Sequence, residues 1–158
     1  MTNESWHQNV SLPALLRHAR GTYGRAMRAA LMHAGYDNIP ANGLYIIGGL
    51  AQGADGVPIG QLVKELGITK QGGGQLVDTL VTKGYLVRTP DENDRRQLIV
   101  TLTERGRAAA AVQLAARQEI DAALLAAIGS NDLDSTRRTL AALIDMGRQS
   151  VNNSDNAV

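Results

Sequence analysis

The feature that most constrains the fold is a pair of short amphipathic segments followed at once by an alternating one, within residues 57–107. Pro58 suits the first position of a helix, where a missing N–H is tolerated. The apolar residues that follow at helical spacing are Ile59, Leu62, Val63 and Leu66. Gly67 is expected to end this helix, and the hydroxyl of Thr69 to cap the next one. The pattern predicts a helix-turn-helix.

The second helix of this pair is expected to bury one side and to begin with polar residues. Its buried side is assigned to Leu76, Leu80 and Val81. The polar side chains that point elsewhere are Lys70, Gln71, Gln75 and Asp78. Two short helices joined by a tight turn, the second with polar groups at its start, are how a recognition helix is presented to the DNA major groove.

A β-hairpin is predicted directly after the recognition helix. β-favouring residues begin at Tyr85, and residues 98–102 alternate at period two. Residues 91–96 are all polar and are expected to form a charged tip between the strands. Arginine at a projecting tip suits a narrow minor groove, where the potential is most negative, and a neighbouring carboxylate can orient the guanidinium.

Three segments, LVKELGITKQ, QLVDTLVTKGYLVR and DENDRRQLIVTLTERGR, resemble in this order the MarR family of bacterial winged-helix transcription regulators. The resemblance extends over residues 10–150 and includes the long flanking helices. The Asp-x-Arg signature of the family wing corresponds to Asp94 and Arg96, with Arg95 between them. The signature's further arginine falls on Ile99 here, which departs from the family pattern.

The resemblance implies a mainly α fold with a small β wing. A winged helix-turn-helix lobe that binds double-stranded DNA is expected at residues 41–102. Dimerisation helices are expected at residues 10–35 and 103–150, within a single MarR-like domain over residues 1–158. A composition with 44% hydrophobic but only 3% aromatic residues also favours close-packed helices.

The flanking helices carry more apolar surface than one lobe needs, which predicts a homodimer. The first helix is expected to begin at Val10. Its basic face consists of Arg17, Arg20, Arg25 and Arg28. These arginines have three open interpretations: contact with DNA phosphates, contact with acidic groups of a partner subunit, or a solvated surface. Thr103 is expected to cap the long helix after the wing, and Gly129 to end it. The last helix carries an apolar stripe of Leu133, Leu140, Leu143 and Ile144.

A symmetric dimer predicts two recognition helices in major grooves about 34 Å apart on a pseudo-palindromic site. The expected DNA contacts are Thr69, Lys70, Gln71, Gly73, Gln75, Asp94, Arg95 and Arg96. Gln71 and Gln75 suit base edges, because an amide can pair with adenine in two places. Lys70 suits a phosphate, and Arg96 the minor groove. With a net charge of only +1, DNA binding must depend on local charge.

Gly72, Gly73 and Gly74 stand in the first turns of the recognition helix, and each costs roughly 0.5–1 kcal/mol relative to Ala. In one interpretation they let the backbone approach DNA closely, or let the helix order only on binding. In the other they are tolerated near a helix end. Gly73→Ala is expected to stabilise the helix. The glycines also favour the alternative function, a winged-helix ligand-sensing or protein-interaction module without specific DNA binding.

The sequence gives no basis for an enzyme, a cofactor or a metal site. Its three histidines, His7, His18 and His33, all precede the helix-turn-helix, it has no cysteine, and it lacks metal-binding and nucleophile motifs. Without an apolar run near 18 residues or a signal-like start, the protein is expected in the cytoplasm.

A small-molecule effector is the last expectation, and it comes from the family resemblance. It implies an aromatic or phenolic anion bound between the dimerisation helices and the DNA-binding lobe, with loss of DNA affinity as the result. The candidate ligand contacts are Arg17, His18, His33, Tyr36 and Tyr45.

Overall fold

A computed structural model describes residues 6–52, 57–96 and 98–155. A short 3-10 helix at Trp6–Asn9 precedes five α-helices and three strands. In chain order these are α1 (Leu12–His33), α2 (Ala41–Leu50), β1 (Val57–Pro58), α3 (Ile59–Leu66), α4 (Lys70–Thr82), β2 (Leu86–Pro90), β3 (Leu98–Leu102) and α5 (Glu104–Asp155). The chain forms two compact units, Met1–Arg117 and Gln118–Val158. Within the described ranges, no helix has both the length and the apolar character needed to cross a membrane.

The core of the first unit draws on helices and strands from most of its length. Ile47 of α2, Leu80 of α4, Tyr85, Val100 of β3 and Ala109 of α5 are completely buried. Helix α1 adds Leu31 to the same cluster. The first turns of α5 therefore complete the core around which the helix-turn-helix and the wing are built.

Pro58 does not begin a helix, and this part of the sequence prediction was wrong. It lies in β1, where Val57 is opposite Val100 and Pro58 is opposite Ile99. The sheet order is β1-β3-β2, so β1 is an edge strand, which tolerates a proline. Helix α3 starts at Ile59; the side chains of Ile59 and Leu62 lie outside what the structure describes.

The turn and the cap of the helix-turn-helix are confirmed. Gly67 has φ +61°, the left-handed conformation that ends α3. The Thr69 hydroxyl accepts a hydrogen bond from the Gly72 backbone N–H at 3.1 Å. Leu80 is buried as predicted, but the second fully buried side chain of α4 is Val77.

The long helices begin and break close to where the sequence indicates. Helix α1 starts at Leu12, two residues later than predicted. Thr103 caps α5, since its hydroxyl accepts a hydrogen bond from the Gly106 N–H at 3.0 Å. Gly129, with φ +79° and ψ 167°, interrupts α5 as a non-helical residue.

Candidate nucleic-acid interface and effector cavity

The N-terminal turns of α4 present the polar residues that the sequence assigns to DNA. Thr69, Lys70, Gln71 and Gln75 are all exposed. Gln71 and Gln75 are four residues apart, so their side chains lie on the same face of the helix. The cap at Thr69 fixes where this face begins.

Gly73, which the sequence analysis places among the DNA contacts at the exposed start of the helix, is buried in the structure. A Cβ at this position would lie 2.2 Å from Cγ2 of Val63 and 3.1 Å from its Cβ. Helix α4 therefore crosses α3 at Gly73, at a distance that only a residue without a side chain permits. The expected stabilisation by Gly73→Ala is also overturned, because the added methyl group has no space.

The two neighbouring glycines have different surroundings. A Cβ at Gly72 would lie 3.1 Å from Oγ1 of Thr69, the oxygen that caps the helix. A Cβ at Gly74 would meet nothing within 4 Å. The contact with Val63 thus explains why residue 73 is a glycine, and the Thr69 cap leaves little space for a side chain at Gly72. Gly74 has open space around it and leaves bare backbone at the surface of the recognition helix.

The tip of the wing is ordered by two aspartates that bind backbone N–H groups. Oδ1 of Asp91 accepts a hydrogen bond from the Asn93 N–H at 2.8 Å. Oδ1 of Asp94 accepts one from the Arg96 N–H at 3.1 Å. These are two consecutive Asx turns. The contact that the structure shows for Asp94 is with the backbone of Arg96 and not with its guanidinium.

Arg95 and Arg96 are exposed at this tip, between β2 and β3. The five register pairs of these strands run from Leu86 opposite Leu102 to Pro90 opposite Leu98. Paired strands thus support the tip on both sides. The two guanidinium groups are therefore carried at the far end of a regular hairpin.

An ion pair connects the recognition helix to the wing. Asp78 of α4 binds the guanidinium of Arg88, the middle residue of β2. The Arg88 side chain is 28% exposed and that of Asp78 is 64% exposed, so solvent screens the pair on one side. From the sequence, Asp78 was known only to point away from the buried side of α4.

The base of the wing is joined to the start of α5. The Thr103 hydroxyl donates to the Gly84 carbonyl oxygen while it caps α5. A Cβ at Gly106 would lie 2.1 Å from the Tyr85 carbonyl oxygen, so the two backbones are in close contact. The Arg105 guanidinium lies 4.8 Å from the centroid of the Tyr85 ring and donates to its hydroxyl.

A cavity of about 1,100 Å³ lies within the first unit. Its lining comes from α1, α2, the end of β3 and the first turns of α5. Five arginines contribute to it: Arg17, Arg20, Arg28, Arg107 and Arg117. No aspartate or glutamate is among the described residues that line it. A concave surface with this charge attracts anions.

Two of the five residues proposed for an effector lie at this cavity. Arg17 and Tyr45 line it, whereas His18, His33 and Tyr36 are not among its lining residues. Tyr36 packs instead against the core. His18 and His33 are exposed on α1.

Three of the four arginines on the basic face of α1 line the cavity, namely Arg17, Arg20 and Arg28. The guanidinium of Arg20 lies 4.8 Å from the centroid of the Tyr45 ring, a cation–π geometry. This face is therefore partly a cavity wall, of which the sequence-based effector hypothesis included only Arg17.

Sequence reasoning did not identify Gln113 as a functional residue. It lines the cavity but is only 3% exposed, between the buried residues Ala109 and Ala116 of α5. Its Nε2 donates to the Leu44 carbonyl oxygen at 3.3 Å. Its Oε1 has no hydrogen-bond partner. One polar residue on an otherwise apolar helix face was the signal in the sequence.

One segment of the chain matches the model of a known protein family. Residues 38–97, which include the helix-turn-helix and most of the wing, match the family model described as the MarR family. No match was found among curated proteins.

Solved structures share the fold at low sequence identity. One is the DNA complex of S. aureus MepR, with 17% identity, a TM-score of 0.71, and coverage of 87% of this chain and 99% of that one. Another is the transcriptional repressor CouR bound to a 23-mer DNA duplex, with 23% identity, a TM-score of 0.67, and coverage of 89% and 96%. A third is NadR in complex with 4-hydroxyphenylacetate, with 21% identity, a TM-score of 0.68, and coverage of 85% and 93%.

The matched segment contains the capped recognition helix and the Asx-ordered wing tip, and the fold agrees over most of the chain. Over residues 38–97 the chain thus resembles the MarR family, and over most of its length it has the winged helix-turn-helix fold of these solved structures.

Proposed function

We propose that the protein is a homodimeric repressor that binds a pseudo-palindromic operator in the cytoplasm and is released by a small aromatic anion. The observation that carries this proposal is that one unit holds both an exposed polar helix start and an arginine-bearing hairpin tip, joined by the Asp78–Arg88 ion pair. Such an arrangement suits simultaneous contact with a major groove and the adjacent minor groove. The fold relative CouR is itself a repressor.

The contacts in the major groove are assigned to the start of α4. Gln71 and Gln75 share an exposed face and carry amides that pair with adenine edges. Lys70 is assigned to a phosphate. Thr69 is assigned to the DNA backbone beside that phosphate, because the Thr69 hydroxyl already caps the helix. Gly73 is withdrawn from this set, since its surface is covered by Val63.

The contacts of the wing are assigned to the two exposed arginines. Arg96 suits the minor groove, where the potential is most negative, and Arg95 suits the phosphate backbone. Asp94 contributes by holding the turn from which Arg96 projects.

Dimerisation is proposed through the helices in residues 10–35 and 103–150. Helix α1 buries only Leu31 and leaves Leu12 51% exposed. In the second unit, Leu143 and Ile144 are 43% and 55% exposed. Apolar surface of this extent favours a partner subunit.

Release by an effector is proposed to depend on the arginine-lined cavity. Arg17 would bind the carboxylate and Tyr45 would contact the aromatic ring. NadR, which shares the fold, binds 4-hydroxyphenylacetate. An effector releases DNA only if it binds the conformation that does not fit DNA more tightly than the one that does.

The test is fluorescence anisotropy with labelled DNA from upstream of the protein's own gene, beside a scrambled duplex, at two salt concentrations. We expect tighter binding to the upstream DNA and a preference that survives the higher salt, because base contacts depend less on salt than phosphate contacts do. If no sequence selected from a random duplex library binds better than its scrambled form, the proposal of specific recognition fails.

The alternative module without specific DNA binding loses part of its support. The three glycines favoured it, but Gly73 has a packing reason that is independent of DNA affinity.

A further inference from the structure

The strongest unexplained feature outside the DNA interface is the side-chain oxygen of Gln113. A buried carbonyl oxygen without a partner is costly, and buried polar atoms are normally hydrogen-bonded. Among the residues that the structure describes, Gln113 Oε1 is the buried side-chain atom that lacks a partner.

The orientation of the Gln113 amide follows from the hydrogen bond of its nitrogen, Nε2. The Leu44 carbonyl can only accept a hydrogen bond, so the atom that faces it must be Nε2, and Oε1 must point away. A Cβ at Gly48 would lie 3.7 Å from Oε1, so the oxygen lies beside bare backbone of α2. Gly48 and Gln113 both line the cavity.

The remaining lining determines what kind of molecule can reach this oxygen. Five arginines supply cationic donors, and the described lining has no carboxylate to neutralise them. Arginine has five N–H donors and no acceptor, so the anionic group of a ligand meets its complement there. Gln113 presents the opposite requirement, because its oxygen can only accept.

We infer that Gln113 is a specificity-determining residue of the cavity: its Oε1 accepts a hydrogen bond from a hydroxyl or N–H group of the organic anion that the arginines bind. The inference rests on the proposed effector function of this cavity. A site with a buried unpaired acceptor rejects an analogue without the matching donor, because that analogue leaves the acceptor unpaired. The effector class is thus an anion with a second, hydrogen-donating group.

The experiment compares two matched anions by isothermal titration calorimetry on the protein without DNA. The probes are 4-hydroxyphenylacetate and 4-methylphenylacetate, which differ by a hydroxyl and a methyl group of similar size. We expect the wild type to bind the hydroxyl compound about tenfold more tightly. In Gln113→Met this preference is expected to disappear, because a thioether sulfur accepts hydrogen bonds poorly.

Gln118→Met is the matched control, since Gln118 belongs to the same helix, is exposed and is not among the residues that line the cavity. It is expected to keep the preference of the wild type. The comparison of the two anions on the wild type needs no variant, so the inference stays testable if Gln113→Met does not fold.

Equal affinity of the wild type for the two anions would overturn the inference, as would a preference that persists in Gln113→Met. Absence of saturable binding of both anions would overturn it too. DNA binding is measured separately on the same samples. If the protein binds DNA sequence-specifically but binds the two anions equally, only the role of Gln113 is excluded. If it shows no sequence-specific DNA binding, the proposed function fails, whatever the calorimetry shows.

Discussion

At the residue scale, adjacent glycines of one helix have opposite relations to their surroundings. Gly73 is in contact with Val63 of α3, and Gly74, one residue later, faces open space. A helix turns by about 100° per residue, so neighbours in sequence face different environments. Helix propensity alone would treat Gly73 and Gly74 as equivalent.

We expect Gly73→Ala to destabilise the protein by about 1–3 kcal/mol, the cost of forcing a methyl group into a packed contact. Gly74→Ala is expected to stabilise it by roughly 0.5–1 kcal/mol, because alanine is the better helix former. Urea unfolding measures both. In a Val63→Ala background, most of this cost should disappear, because Cγ1 and Cγ2 are gone and only the Cβ of residue 63 remains, at 3.1 Å. An undiminished cost would show that Val63 is not the obstacle.

The wing tip gives a second prediction at this scale. Arg96→Ala is expected to weaken operator binding by about 1–3 kcal/mol if its guanidinium enters the minor groove. Asp94→Asn is expected to keep most of the affinity, because an amide oxygen can accept the same hydrogen bond from the Arg96 N–H. Asp94→Ala is expected to lose affinity with the turn.

Anisotropy with operator DNA distinguishes these variants. Equal losses in Asp94→Asn and Asp94→Ala would show that the charge of Asp94 matters and not its turn. Unchanged binding of Arg96→Ala would remove this arginine from the interface.

At the scale of elements, the recognition helix and the wing are positioned by each other. The Asp78–Arg88 ion pair connects them, and the loop through Gly84 and Tyr85 carries the chain from one to the other. A pair that is largely solvent-exposed on one side contributes little stability. Its main effect is geometric, because it relates the orientation of β2 to that of α4.

A double-mutant cycle with Asp78→Asn and Arg88→Met is expected to give a coupling energy of about 0.2–1 kcal/mol in unfolding. The coupling should decrease at high salt, since exposed charges are screened. Chemical denaturation at two salt concentrations gives both values. A coupling that does not change with salt would indicate packing of the Arg88 stem rather than charge.

The sequence was sufficient where local chemistry determines structure. Thr69 and Thr103 were assigned as caps, and Gly67 as the end of α3, because each depends on residues within one turn. Pro58 was misassigned since its partner, Ile99, is distant in sequence. The DNA-contact candidates followed from position in the motif and remain predictions.

The cavity could not be predicted in the same way, because it is built by α1, α2 and α5 together. Arg17 and Tyr45 were identified, but Gln113 was not, since no rule of spacing connects it to Leu44, 69 residues away. Its burial depends on how α5 packs on α2. Long-range packing of this kind is decided by the whole core and leaves only a weak local pattern.

At the scale of the whole molecule, the proposed dimerisation through the long helices sets the distance between the two recognition helices on DNA. Leu143→Arg, on the exposed apolar stripe, is expected to give a monomer in sedimentation velocity, because a charge replaces apolar contact area. Binding of the palindromic operator should weaken with it. Asn131→Arg, on the opposite face of the same helix, is the control and should stay dimeric. A dimeric Leu143→Arg would exclude this stripe from the interface.

The wing is fixed at its base, where Thr103 bonds to Gly84, and it carries its arginines at the other end. Such a hairpin is a cantilever. Five residues of strand extend roughly 17 Å at about 3.3 Å per residue, so a tilt of about 5° at the clamped end displaces the tip by about 1.5 Å. That displacement is enough to break a hydrogen bond. Among the proposed DNA contacts, that of Arg96 is therefore the one that a small rotation of α5 would displace most.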